Sequence, residues 1–350
     1  MRHLCRPFVA SVAAMLVACG THGPSTLPSG IASGPDGALW FTEGAAWKIG
    51  RMTTGFALTN EFPIPIQSSY PDSIAKGPDG AMWFTDVCTS SIGRIDTGGR
   101  IVEYQLPSRD SPHPIGIAPG PDGAMWFVER DEGKIGRITT SGSISEFALP
   151  HASEPMAIAA APDGATLWFT EHDAHRLGQI TPRGRIIERV LPQDREPEGI
   201  VAGPDGAMWF TEFVRRGTLD DTGAVARIDL RGRIHEYIVR GPGESRPEAI
   251  VAGTRSDLWF VDSNDRIGHI TTSGKVALYP IPVPGNNPGG HFGETARAMP
   301  TGIVLGPDDN AWYTAWCSNW IGMVTPSGSL SAAPISSGVG LYDGDKMCPG

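Results

Sequence analysis

The 350-residue sequence has no apolar run long enough to cross a bilayer, no amphipathic pattern of helical length and no heptad series. It has no glycine-rich phosphate loop and no metal-finger cysteine spacing. Those absences exclude a helical bundle, a coiled coil, a membrane-spanning helical protein and the common nucleotide-binding folds. Charge is also scarce. Charged residues make up 19% of the chain, with 28 Lys and Arg against 38 Asp and Glu, for a formal net charge of −10. Nucleic acid calls for a basic face, so it is excluded as a partner. The acidic balance suits cations or cationic ligands. What the chain has in quantity is turn-formers, 45 Gly and 31 Pro, which point to many short strands. The length suffices for one large all-β domain with a sizeable core.

The first eighteen residues read as a targeting signal. Arg2 and Arg6 form a basic start, and Phe8 to Ala18 is an apolar run of the length of a signal core. Leu16-Val17-Ala18-Cys19-Gly20 looks like a bacterial lipobox, with cleavage before Cys19 and lipid added to its thiol. An ordinary secretory peptide ending near a cysteine is the alternative. The expected organisation is a signal over 1–18, a short tether over 19–27, a propeller over 28–335 and a tail over 336–350. The expected location is the periplasm or cell envelope, with membrane contact only through the lipid on Cys19. Cys88, Cys317 and Cys348 remain in the mature chain, and an oxidising compartment permits one disulfide. Cys88 and Cys317 each follow an anchor tryptophan by five residues, in blades 2 and 7, too far apart for a direct bond. Cys317–Cys348 is therefore the favoured pair, and Cys88–Cys348 the alternative.

One unit recurs seven times. Its clearest copy runs from Pro114 to Phe147: P-I-G-I-A-P-G-P-D-G-A-M-W-F-V-E, then K-I-G-R-I-T-T-S-G-S-I-S-E-F. The anchor tryptophans are Trp40, Trp83, Trp126, Trp168, Trp209, Trp259 and Trp312, spaced 43, 43, 42, 41, 50 and 53 residues apart. A period of about 40–50 residues with strand-like content is the signature of propeller blades. Each unit reads as four short strands, with P-D-G turning the first into the second. The prediction is a monomeric, all-β, seven-bladed propeller of four-stranded antiparallel blades. The K-I-G-R glycine is expected where packed blades approach closely. Blade 1 begins at a first strand and blade 7 ends at a fourth, so the ring should close by face packing rather than by a shared strand. Insertions lengthen blade 5 (Val214 to Gly223) and the approach to blade 7 (Gly285 to Met299).

Two rings of side chains are expected to converge on one end of the axis. One follows each blade-opening proline: Ser29, Asp72, Ile115, Met156, Glu198, Glu248 and Thr301. The other follows W-F-T: Glu43, Asp86, Glu129, Glu171, Glu212, Asp262 and Ala315. Carboxylates crowded together repel, and a hard divalent ion with oxygen ligands would relieve them. Scaffold contacts with backbone or with the K-I-G-R cations would relieve them too. Glu198, Glu212, Glu248 and Asp262, on two adjacent blades, are the candidate metal ligands, for Mg2+ or alternatively Ca2+. His291 and Glu294, in the insertion before blade 7, are the candidate catalytic pair. His172 and Trp316 are candidates for contact with a small-molecule ligand at the axis, and His113 is expected to point outward.

The repeated P-x-G-I, W-F-T-E, K-I-G-R-I-T and G-x-I-x-E-[FY] motifs resemble those of the virginiamycin B lyase, or streptogramin lyase, family over about residues 28–335. The resemblance implies a propeller that opens the ester ring of type B streptogramins by elimination, with magnesium polarising the substrate. It also implies a blade-opening E-P-H-G-I that supplies a metal-linked Glu and a His general acid. An acidic residue after the next W-F and a P-H-A-I one blade earlier complete the implied site. Here the last blade opens Met299-Pro300-Thr301-Gly302-Ile303 and continues Trp312-Tyr313-Thr314-Ala315. The blade before it opens Arg246-Pro247-Glu248-Ala249-Ile250, and the nearest echo of E-P-H-G-I is Glu196-Pro197-Glu198-Gly199-Ile200. Three functions fit: a metal-assisted lyase on a cyclic ester, a non-catalytic envelope propeller binding a ligand or partner protein, and a lactonase-like hydrolase using calcium. Seven repeats argue against the six-fold geometry of the last.

Overall fold

The computed structural model describes residues 26–107, 112–151, 153–215, 222–229, 231–282 and 297–335. Seven four-stranded antiparallel sheets, each made of four consecutive strands, stand around an axis. In blade 1 the strands are Pro28–Ser33, Leu39–Glu43, Lys48–Met52 and Leu58–Pro63, and every later blade repeats that order. First strands neighbour the first strands of adjoining blades, so they form the inner wall. The one helical element among the described residues is a 3-10 turn at Gly44–Ala46, and none is long and apolar enough to cross a membrane.

The core lies between blades. Trp40 and Ile49 of blade 1 pack with Ile74, Met82 and Phe84 of blade 2, and the other six clusters repeat this around the ring. Alternation along the second strand explains the arrangement. The tryptophan of W-F turns toward the next blade and the phenylalanine toward the one before. Each indole N–H must then find an acceptor inside the sheet. Trp126 Nε1 donates to Asp122 of the P-D-G turn at 3.0 Å, and Arg137 Nε bonds the other oxygen of Asp122 at 2.6 Å. The ring stacks on Phe147 of the fourth strand, 5.6 Å between centroids. The E-[FY] that ends the repeat is thus the far side of the tryptophan's slot.

Two glycines of the repeat have separate tasks. A Cβ on Gly50 of K-I-G-R would stand 2.2 Å from the ring of Phe41, its cross-strand partner. That glycine therefore makes room for an aromatic ring of its own blade, rather than for a neighbouring backbone as the sequence led us to expect. The close approach between blades is at the P-x-G glycine, where a Cβ on Gly199 would meet the carbonyl oxygen of Glu248 at 2.5 Å.

Closure follows the expected mode: blades 7 and 1 share no strand. Ile31, Phe41 and Met52 pack against Trp312 and Ile321. Blade 7 lacks the fourth-strand aromatic, and Phe56 of blade 1 covers Trp312 instead, 4.7 Å between centroids. A side-chain buckle adds to this. Asn319 Oδ1 accepts from Thr26 N at 3.0 Å and Thr26 Oγ1 at 2.6 Å, and its Nδ2 donates to Ile335 O at 3.2 Å. One residue thereby ties the start of the ring, its last turn and its end. Cys88 and Cys317 are both disulfide-bonded, which corrects the expectation that one of them alone is bridged, to Cys348, and the other left as a thiol. Cys19 and Cys348 lie outside the described residues.

Trp126→Ala should lower stability by about 3–5 kcal/mol, the usual cost of emptying a fully buried aromatic site, read from denaturant melts. Asn319 sits at φ 57°, so Asn319→Gly keeps the backbone conformation and removes only the buckle. At about 0.5–1.5 kcal/mol per hydrogen bond, the loss of three should cost about 2–3 kcal/mol. A change below about 0.5 kcal/mol would show that the apolar seam alone closes the ring.

Candidate functional site

The threonine of W-F-T sets the inner wall. The Gly30 N–H donates to Thr42 Oγ1 at 2.8 Å, and that hydroxyl donates across to the carbonyl of Asp72 in blade 2 at 2.7 Å. Thr170 bonds Glu198 O in the same way at 2.7 Å, Thr211 bonds Glu248 O, and Thr314 bonds Ser29 O at 2.6 Å. These clasps fix the backbone of Ser29, Asp72, Glu198 and Glu248, each the residue after a blade-opening proline, at one end of the axis, the mouth. Neighbouring members of that ring touch: Ser29 Oγ donates to Asp72 Oδ1 at 2.7 Å.

The second ring does not converge on the mouth. A strand residue next to the clasping threonine must face the other way, and Glu43, Asp86, Glu129, Glu171, Glu212 and Asp262 are all turned into the protein and fully buried. There they meet third- and fourth-strand charges. Lys134 reaches Glu146 at 3.1 Å and Glu132 at 2.5 Å beside Glu129, and Lys48 reaches Glu61 at 3.1 Å beside Glu43. Burial, then the charge of the fourth-strand Glu, pushes Glu43 up to about 7 and Glu129 up to about 8. The repeated acid is buried within the blades.

This parting divides the four candidate metal ligands. Glu212 is raised to about 8 by burial and then by Glu236, with Arg195 Nε 3.7 Å away. Asp262 accepts from Ser245 Oγ at 2.8 Å, from the Arg246 and Asn264 amides at 3.1 Å, and from Arg266 at 2.8 Å. Glu198 and Glu248 do stand together at the mouth. Burial, then the charge of Glu198, pushes Glu248 up to about 7, against the pull of Arg246.

His172 joins them. It follows the second strand of blade 4, Leu167–Glu171. Its Nε2 lies 3.1 Å from Glu198 Oε1 and 3.5 Å from Glu196 Oε2, and its Nδ1 lies 2.6 Å from Asp173 Oδ1. Burial works against its charge, but the hydrogen bond and charge of Glu198, then Asp173 and Glu196, hold the imidazole up to about 9. Arg215 Nε bonds Glu196 Oε1 at 2.5 Å. Arg215 and Arg246 both lie over the ring of Phe213, 6.0 and 5.3 Å from its centroid. The mouth therefore holds a charged proton donor beside a carboxylate poised near neutrality.

The other candidates fare differently. His291 and Glu294 lie outside the described residues. Trp316 is only 4% exposed, so its ring is packed within the protein. His113 does not point outward; it is 2% exposed, with Nδ1 2.7 Å from Asp131. Glu196 and Arg215 belong to the cluster without having been singled out as site residues. Their signal was the blade-5 insertion, which lengthens that blade's first two strands to Arg195–Ala202 and Met208–Val214.

Fold and mouth together define a seven-bladed propeller with a polar, carboxylate-rich axial site. The virginiamycin B lyase family model matches residues 16–214 and 151–339, and the chain belongs to that family. It is similar to virginiamycin B lyase from Staphylococcus aureus at 34% identity and TM-score 0.73, over 83% of this chain and 92% of that one. A streptogramin B lyase is similar at 32% identity and TM-score 0.74, over 90% and 96%. A catalytically inactive histidine-to-alanine variant of the Staphylococcus aureus enzyme, with Quinupristin, is similar at 33% identity and TM-score 0.73, over 85% and 94%. A comparison with curated proteins found no match.

Between its ordinary 4.5 and about 8, Glu129 keeps a proton in the folded chain that the unfolded chain has released. Its contribution to stability is therefore whole below 4.5 and lost as pH rises through about 8. Glu129→Gln should remove that slope. Thermal midpoints at several pH values should show the variant gaining on the native chain at alkaline pH, and parallel curves would show that Glu129 is ionised throughout.

Proposed function

We propose that this chain is an exported, lipid-anchored lyase that opens a cyclic ester of the streptogramin B type by elimination at the mouth. The observation that carries the reading is His172 held against Glu198 with Glu248 alongside. In such an elimination Glu248 takes the proton from the carbon next to the carbonyl. The C–H electrons form a C=C bond, and the C–O bond breaks with its pair leaving on the ester oxygen. His172 gives its proton to that departing oxygen, and Glu198 and Asp173 hold the imidazolium in line. No water enters the step, so the product is a linear chain with a new double bond.

Magnesium is the family's expected aid. Glu198 and Glu248 offer hard oxygen donors, but among the described residues no group of three or more His, Cys, Asp or Glu is placed to hold an ion. Glu198 is also already in contact with His172. The described donor set does not complete a metal site, and no step here passes through one.

A second reading, a non-catalytic propeller that binds a small ligand, is favoured by blade 7. There Thr301 Oγ1 lies 3.1 Å from Thr314 Oγ1 and Ala315 is buried, so that blade brings neither acid nor base. Incubation with a type B streptogramin separates the two. The lyase reading expects a ring-opened product of unchanged mass, and a rate lower by about 100-fold or more in Glu248→Gln and His172→Asn. Saturable binding with no turnover favours the second reading, and a product heavier by one water refutes elimination.

A further inference from the structure

We propose that the rim of the mouth at the seam between blades 1 and 7 lies on the lipid bilayer, with Trp47 seated among the headgroups. The inference rests on the lipid-anchored reading of Cys19.

Thr26 and Leu27 are pinned where the chain enters the fold. Thr26 bonds Asn319 through both its amide and its hydroxyl. The Ala45 amide donates to Thr26 O at 3.0 Å and the Gly44 amide to Leu27 O at 3.2 Å. Residue 26 is therefore fixed beside the turn between the second and third strands of blade 1. Pro28 pairs with Glu43, which places that turn at the mouth end. Seven Cα–Cα steps separate Cys19 from Thr26, a reach of at most about 25 Å when fully extended. An acyl chain on Cys19 thus holds this rim close to the membrane surface.

The rim carries apolar groups suited to that position. Trp47 is 39% exposed and Ile66 is 40% exposed. They are two of the four large apolar side chains exposed among the described residues, and the other two, Ile187 and Val190, are on the last strand of blade 4. The Trp47 carbonyl accepts from the Ile64 amide at 2.8 Å, so the Trp47 turn adjoins the segment carrying Ile66. Tryptophan, with an apolar body and a polar N–H, favours the headgroup layer. The mouth then opens along the bilayer surface, and ligands that partition to that surface reach His172 most readily.

The test uses the full acylated chain in phosphatidylcholine vesicles whose acyl chains carry bromine, which quenches nearby tryptophan. The expected result is a fall in emission, of which Trp47→Phe removes about half or more while the thermal midpoint stays unchanged. An equal fall in Trp47→Phe, or no fall in the native chain, overturns the orientation. A mass spectrum of the same sample reads the anchor separately, and an unacylated Cys19 overturns the proposal at its base. Trp47 is no part of the catalytic cluster, so cyclic-ester turnover in Trp47→Phe should match the native rate. Failure of the lyase reading would therefore show in the native chain's own assay and not here.

Discussion

The structure depends on a buried indole whose N–H is answered from within its own blade. A tryptophan buries about 150–250 Å², worth roughly 4–6 kcal/mol at about 25 cal/mol per Å², but an unanswered N–H would cancel part of that gain. The P-D-G aspartate removes the conflict. In blades 1, 2, 3, 5 and 7 its Oδ1 accepts from Nε1 at 2.9–3.0 Å. The turn that reverses the chain therefore also satisfies the core. In blades 1, 2, 3 and 5 the K-I-G-R arginine, or its counterpart Arg227, binds the second oxygen of that aspartate. In blades 1, 2 and 3 the same arginine also lies over the indole. Burial tends to raise Asp36, Asp79, Asp122 and Asp205, but the indole, arginine and backbone bonds outweigh it and hold all four below the usual carboxylate range. Blades that lack a part improvise. In blade 6, His269 Nε2 reaches Asp257 at 2.9 Å and its ring tilts on Trp259.

With the tryptophan turned toward the next blade, the rest of the second strand is decided by alternation. Threonine, two residues on, faces the same neighbour and clasps its backbone at the mouth. Phenylalanine and the final acid face back. These clasps hold the mouth end of the axis, and Val128 and Val261, which stand in place of the threonine in blades 3 and 6, have no hydroxyl to make one.

Much of this was legible in the sequence, because repetition reports on scaffold. Seven tryptophans in register gave the blade number, and the P-D-G turns and E-[FY] endings gave the strands. The acid after W-F-T was just as regular, and there regularity misled. Counting placed Glu43, Glu129 and Glu212 at the correct end of the strand, but only parity relative to the threonine says which way each points. Residue type was no guide, since a glutamate buried beside a lysine and a second glutamate reads in sequence like a ligand. The reverse holds for the mouth. His172, Glu196, Glu198 and Arg215 break the repeat, and a break is visible as a departure long before it is readable as a cluster. The pairing of His172 with Glu198 needs the blade 4–5 neighbour relation, which no local pattern carries.

That asymmetry bears on how this member of the family differs from its relatives. The expected histidine positions open the last two blades, where Glu248 and Thr301 stand here. Glu198 and Glu248, whose carbonyls are clasped by Thr170 and Thr211, are fixed in the ring at the mouth. His172 instead follows the second strand, beyond the last paired residue, and reaches the mouth from outside that ring. On the proposed lyase reading, a proton donor absent from the inner wall is supplied from the adjoining turn without moving a strand, because the clasps that hold the wall use backbone carbonyls. Glu196 and Arg215 extend the same principle, since both stand on the lengthened hairpin of blade 5. Polar groups at the mouth can therefore change from turn to turn, while the buried indoles and clasping threonines keep the frame unchanged.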